Sequence, residues 1–444
     1  MSRATVARLA RVGQGTLDAV ARLGASAAAV KVRHAWTRAL EGRDGVLETF
    51  EESMSTALTL RLFAGGRYGV FGTSDLRPAS LHAFVERAFD VLGALAPDPD
   101  RALPDPSGYR GRPRGDLGLV DPAAPPDRAA LARTLARLEA AARAEGADAP
   151  VVAVETGASC DRTCSVLLHS DGFRGVREAT SASLSVSVVL LDGADRRPVD
   201  RAHDRARRVA DLQGADVLGQ RAMRRARARL DASPAPTGTC PVVVEARAAA
   251  RLVEALLDAM QGPALWQHRS FLLGCRGQRV ASRAFTLVDD PLVPGGMGSR
   301  RCDAEGLAAR RRVLIRRGVL EGLLLDTCYA RKLGQPLTSG STSNAVVAPG
   351  PRDLEGLLAA AGQGLLVTGF LGGNVNAATG DFSLGVMGSR IERGSPGRAV
   401  AGSNLSGNLL ELFGSLVETG SDVLTSSAVR TPSLWFGAGQ VSGT

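Results

Sequence analysis

Lysine is almost missing from this chain. Lys31 and Lys332 are the only two in 444 residues, although Lys and Arg together number 54. The cations are therefore nearly all Arg, a bias that a GC-rich genome writes without any selection for phosphate binding. Aromatic residues are also scarce, at 4%, and nucleic-acid surfaces interleave rings among their cations for base stacking. The net charge of +9 therefore does not point to DNA or RNA. The run "RRARARL" at 224–230 reads as the solvated end of a helix, where cations suit the dipole.

Six cysteines are too few and too scattered for a disulfide framework. Cys160 and Cys164 form the one close pair, and no second pair completes a four-ligand zinc site, so both read as ordinary buried thiols. The five histidines, His34, His82, His169, His203 and His268, include no HExxH pattern and none beside a GxSxG elbow. No uncharged apolar run reaches eighteen residues, which excludes a membrane-spanning helix. The opening "MSRATVARLARVGQG" has no apolar signal core, so a cytoplasmic location is expected. "GGMGSR" (295–300) and "GFLGGN" (369–374) lack the Gly-Lys-Ser/Thr of a phosphate loop and read as tight turns.

What is present is a globular composition, 44% hydrophobic and 22% charged, over a length that suits two or three domains. Apolar spacing predicts helices at 15–30, 78–95, 127–146, 205–231, 246–261 and 353–361. Alternation around Gly65 and Gly66 predicts a hairpin, and 151–159, 164–172 and 181–193 read as three strands. The Pro- and Asp-rich segment 96–126 reads as an exposed connection, and 232–241 as a linker. The expected fold is α+β: a mixed α/β N-terminal half followed by a mainly antiparallel β C-terminal domain. Its regions are 1–110, 111–234 and 235–444.

Read in order, the back half gives "SFLLG" (270–274), "VDDPLVPGGMGSRRCDAEG" (288–306), "RRGVLEGLLLDTCYARKLG" (316–334), "AGQGLLVTGFLGGNVNAATGDFSLGVMGSRIERG" (361–394), "SGNLLELFGSLVETGSDV" (406–423) and "VRTPSL" (429–434). This series resembles the TldD/PmbA family of two-subunit metalloproteases, and within it the E-type subunit (TldE). The family's Asp-x-Glu-Gly appears as Asp303 to Gly306, its Leu-Asp-x-x-x-Ala-Arg-Lys-Leu-Gly as Leu325 to Gly334, and its Gly-Asp-Tyr/Phe-Ser as Gly380, Asp381, Phe382 and Ser383. "FGTSDL" (71–76) and "PDPD" (97–100) extend the likeness into the front half.

The resemblance also supplies an absence. In D-type subunits the helix opening the C-terminal domain carries HExxxH, and a late Cys completes the zinc site. Here the corresponding helix has no His, and no Cys follows Cys328. The resemblance therefore implies a chain with no catalytic or metal residues of its own, partnered by a zinc-bearing D-type subunit, acting on unfolded polypeptides or modified precursor peptides. Two alternatives stay open: an autonomous hydrolase with a non-His metal site at Glu254 and Asp258, or a homodimeric peptide-binding scaffold. The Gly-rich stretch 374–394 is the candidate substrate-binding element, with Gly380, Asp381, Phe382, Ser383 and Gly385 as its residues. A strand edge there would read peptide backbone by strand addition. The same glycines equally fit a bulge, with Asp381 capping a turn.

Overall fold

The computed structural model describes residues 3–443, and its front half is built on one long hairpin. Strands β1 (Ala27–Arg43) and β2 (Val46–Ala64) pair over nearly their whole length, and β3 (Arg67–Thr73) returns along the end of β2 through a turn at Gly65 and Gly66. Strands β4 (Val151–His169), β5 (Arg174–Leu190) and β6 (Val199–Ala206) complete an antiparallel sheet in the order β3-β2-β1-β4-β5-β6. Because β1 pairs with β2 on one side and β4 on the other, the regions 1–110 and 111–234 both contribute to this sheet.

Side chains alternate between the faces of a strand, and here the two faces differ in kind. Val30, Val32, Val166, Leu168, Val186 and Val188 are buried against helices α1 (Arg3–Arg22), α2 (Pro78–Gly93), α3 (Arg128–Glu145) and α4 (Ala215–Arg227). Lys31, Arg33, Thr163, Ser165, Arg177 and Ser181 point from the other face into a cleft.

Three expected boundaries moved. The helix placed at 15–30 is α1, which ends at Arg22 and gives way to β1 at Ala27. It starts earlier because Gly13 is not a break: the missing side chain lets the helix lie close to Leu168 of β4. The helix placed at 205–231 shrinks to α4, since β6 continues to Ala206 in register with β5. The three strands read across 151–193 are two, β4 and β5, with the chain reversing at 170–173.

The back half begins with β7 (Gly238–Val244) and α5 (Ala246–Ala259). One sheet has the order β14-β13-β12-β7-β17-β15, with β12 (Gly364–Val375), β13 (Asp381–Glu392), β14 (Ser395–Asn408), β15 (Leu416–Thr419) and β17 (Leu434–Gly443). Strand β14 also pairs with β17, so the sheet curls round on itself. A smaller sheet contains β8 (Leu287–Asp289), β9 (Arg312–Arg316), β10 (Val319–Leu320), β11 (Ala345–Val347) and β16 (Val429–Arg430). Most pairings are antiparallel, as expected, with β7–β12 and β11–β16 parallel.

Helix α5 buries Leu252, Val253, Leu256 and Leu257 in the core with Phe285, Phe413 and Phe436. The short helices α6 (Gly262–Trp266), α7 (Thr327–Lys332), α8 (Leu354–Ala361) and α9 (Leu409–Gly414) complete the half. Asp326 and Asp353 cap α7 and α8 by accepting from Tyr329 and Gly356 backbone N–H groups, the role short acidic side chains play at helix starts. Among the described residues no helix is long and apolar enough to cross a membrane.

Candidate functional site

Between the polar face of the first sheet and the back half lies a cleft of 2010 Å³. The floor comes from alternate positions of β1, β4 and β5, which the register places side by side: Arg33 opposite Ser165, and Ser165 opposite Arg177. One wall is β6 with the end of α4. The opposite wall is the first turn and a half of α5, the residues Thr368 to Leu371 and Met387, and the loop 421–428.

Helix α5 turns Arg247 and Arg251 into this cleft. Arg247 forks onto the carboxylate of Asp200 at 2.9 and 3.0 Å, and donates through Nε to the Thr368 carbonyl at 2.8 Å. Arg251 donates to the Gly373 carbonyl and lies over the Phe370 ring. Glu245, at the cap of α5, is gripped by Arg225 of α4. This wall is therefore an Arg–carboxylate lattice. The run at 224–230, read as a solvated helix end, is partly built into it, since Arg225 and Arg229 line the cleft.

A zinc ion, which the resemblance implies for D-type subunits, has no donor set here. Among the described residues no three His, Cys, Asp or Glu side chains converge at metal-binding spacing. Glu254 and Asp258 sit exposed on α5, outside the cleft lining, and the Gln261 side-chain amide donates to Asp258. The loop 421–428 reads SDVLTSSA, without a sulfur. Cys160 and Cys164 lie on the same strand, where four residues span about 13 Å, too far to share a metal. Burial and then Asp161 push the Cys160 thiol up to about 11, and burial followed by Glu178 raises Cys164.

None of the candidate residues at 380–385 lines the cleft, although Gly385 pairs across the strands with Leu371, which does. Asp381 accepts from Thr379 Oγ1 at 2.6 Å and from Asn408 Nδ2 at 3.0 Å, which holds its carboxyl below the usual range. Phe382 is buried in the core, and Ser383 is exposed on β13. Gly380 has φ +82 in the turn before β13. Strand β13 is hydrogen-bonded to β12 on one edge and β14 on the other, so it offers no free edge for strand addition.

The glycines serve close approach instead. A Cβ on Gly385 would lie 2.4 Å from the Leu371 carbonyl oxygen, and one on Gly388 would lie 1.8 Å from that of Leu366. Both positions fall where the β12–β13 or β13–β14 register shifts or runs beside a shift. Gly388→Ala is expected to destabilise the protein by about 1–3 kcal/mol through overpacking, seen as a lower urea midpoint. Gly15→Ala, in open space on α1, should be neutral or slightly stabilising. Equal midpoints for the two variants would refute the close-approach account.

Two other motifs meet unexpectedly. Lys332, from the Leu325 to Gly334 segment, donates to Asp98 of the "PDPD" stretch at 2.8 Å. Glu305, from Asp303 to Gly306, accepts from the Thr327 N–H and hydroxyl, both at 2.9 Å. Lys332 thus fastens the back half to the front, while Glu305 ties two back-half motifs together and faces His169, the partner of Tyr109 and through it of Asp171, at a second polar cluster. The cleft itself escaped the sequence reading. Its signal is the two-faced alternation of "AVKVRHAWT" and "ASLSVSV", where every second residue is small, hydroxylic or cationic.

The comparisons agree with this architecture. Residues 28–92, 121–230 and 237–443 match, in turn, domain 1, the central domain and the C-terminal domain of the PmbA/TldA metallopeptidase. The chain is 29% identical over 409 residues to Metalloprotease PmbA of Escherichia coli, covering 90% of this chain and 89% of that one. It is 28% identical over 397 residues to a metalloprotease of Methanothermobacter thermautotrophicus, with 86% and 85% coverage. Among solved structures it matches a proposed modulator of DNA gyrase from Bacteroides thetaiotaomicron at TM-score 0.92 and 32% identity, over 98% of each chain. TldE from Thermococcus kodakarensis shares the fold at TM-score 0.84 and 23% identity, with 96% and 100% coverage. With all three domains matched in order and the motifs of the back half at the junctions just described, the chain belongs to the PmbA/TldD metallopeptidase family.

Proposed function

We propose that this chain is the zinc-free, E-type subunit of a two-subunit peptidase, in which it forms a wall of the substrate cleft while a D-type partner holds zinc and supplies the hydrolytic chemistry. The observation that carries this reading is the wall of α5. Where a D-type subunit would present HExxxH, this helix presents Arg247 and Arg251, both committed to neighbouring oxygens. The substrates would be unfolded polypeptides or modified precursor peptides, handled in the cytoplasm.

The free edge of β2 supports a partner on this side of the chain. Residues 46–57 of β2 have no strand on their outer edge among the described residues, because β3 pairs only with Leu58 to Ala64. That stretch exposes Val46, Leu47, Phe50 and Met54. A long unpaired edge with apolar side chains invites another chain, and the zinc-bearing subunit is the occupant this reading assigns.

The test is metal analysis and proteolysis of an unfolded substrate, with the purified chain alone and then mixed with a zinc-motif partner from the same genome. The expected result is no retained zinc and no cleavage alone, with chelator-sensitive cleavage on mixing. Stoichiometric metal and cleavage by this chain alone would overturn the reading and return attention to Glu254 and Asp258.

A further inference from the structure

The cleft carries more positive charge than its own acids neutralise. Eleven Arg and Lys side chains line it against five Asp and Glu, an excess of six in a chain whose formal charge is +9. The five carboxylates are already occupied. Asp200 and Glu245 are held by Arg247 and Arg225. Asp161 accepts from the Thr37 and Ser181 hydroxyls, Asp204 from the Gln213 N–H, and Asp422 from the Ser433 hydroxyl. By contrast, Lys31, Arg33, Arg201 and Arg221 make no ion pair among the described residues.

Burial first, and neighbouring cations after it, act on two bases of the cleft. Lys31 is held below its usual range by burial and then by Arg177, Arg33 and Arg61, and Arg177 is lowered by burial and Arg300. Such a site concentrates positive potential between protein walls, which is how a cleft focuses its field on an oppositely charged ligand.

We propose that this cleft receives acidic stretches of polypeptide. Their Asp and Glu carboxylates meet Lys31, Arg33, Arg201 and Arg221, while the backbone lies extended over the floor of Ser and Thr hydroxyls. The choice of a peptide rests on the peptidase reading above and deepens it by naming the substrate class. A nucleic acid fits the lining poorly. Among the described residues Phe370 is the only Phe, Tyr or Trp lining the cleft, and the Arg251 guanidinium lies 5.9 Å from its ring. Single strands, in contrast, bind on aromatic platforms.

The experiment is fluorescence anisotropy on the full chain with three labelled probes of equal length: a Glu/Ser peptide, its Gln/Ser counterpart and an oligothymidylate. The acidic peptide should bind at least about tenfold more tightly than the Gln peptide, with binding lost near about 1 M salt, where screening reaches about 3 Å. The variant R33Q/R201Q/R221Q should lose about tenfold in affinity for the acidic peptide. A control, R87Q/R110Q/R133Q, removes the same charge at exposed sites outside the cleft and should keep wild-type affinity. Thermal melts verify that both variants fold.

Equal binding of the Gln peptide, tighter binding of the oligothymidylate, or equal losses in the two triple variants would overturn the proposal. The assay involves neither partner nor catalysis. Acid preference without activation of a zinc partner removes the subunit reading and leaves this one standing. Activation without acid preference does the reverse.

Discussion

Arg247→Ala is expected to destabilise the protein by about 3–5 kcal/mol, the range for removing one member of a buried ion pair. The size follows from what stays behind. Asp200 is only 5% exposed at its side chain, and Arg247 supplies two of its hydrogen bonds. Without the guanidinium, a carboxylate remains out of water with the Arg201 N–H as its remaining donor, and the Thr368 carbonyl loses its Nε–H donor. Arg247→Lys should rescue little, because an ammonium cannot fork onto both carboxylate oxygens and reach Thr368 as well. Adding Asp200→Asn to Arg247→Ala should restore part of the loss, since the amide carries no charge to strand. Urea denaturation of the four chains measures this. A loss for Arg247→Ala below about 1 kcal/mol, as exposed pairs give, would show that the pair does not fasten β6 to α5 and β12.

The features legible in the sequence were those with local causes. Helix α3 was found to within a residue at each end because Asp127 caps it, accepting from the Ala130 N–H, and Gly146 stops it. The β2–β3 hairpin was found because Gly65 and Gly66 both take positive φ. What was misplaced depends on distant partners. "ASAAAV" at 25–30 is rich in good helix formers, yet Ala27 to Val30 form strand because Phe63 to Leu60 lie opposite them in β2. The start of the helix placed at 205–231 likewise gives way to β6, whose last residues Arg205 and Ala206 pair with Ser183 and Ala182 of β5.

The same division holds for the site. The absence of HExxxH on α5 and of a late Cys could be read from the chain, and so could the family motifs. The alternation marks the polar strand faces, but not where they meet, because Arg33, Ser165 and Arg177 become neighbours only when three strands far apart in sequence find their register. Sequence drew attention to the glycines near Asp381. The structure explains them by backbone approach and places the cleft beside them on the same sheet, at Thr368 to Leu371, the last opposite Gly385, and Met387.

Acid is expected to weaken the fold through His169. The imidazole is fully buried, and burial lowers it from 6.5 to about 4, with Asp171 opposing the shift and Arg61 adding to it. Tyr109 has one hydroxyl proton, which goes to Asp171 Oδ2 at 2.8 Å, so His169 Nδ1, 3.0 Å away, donates to the phenol oxygen. Nε2 is buried with no hydrogen-bond partner among the described residues, and a second proton there would find no acceptor among them. The unfolded chain binds that proton below pH 6.5 while the folded chain refuses it until about pH 4. Stability is therefore full above 6.5, falls as pH drops through this window, and levels off below it, with a total loss of roughly 3 kcal/mol. His169→Phe keeps a ring against Phe173 and Tyr109 and removes the titration. Its urea midpoint, whatever its absolute value, should vary less between those two pH values than that of the parent chain. Parallel pH profiles for the two proteins would clear His169 of the effect and assign the acid sensitivity to the surrounding carboxylates.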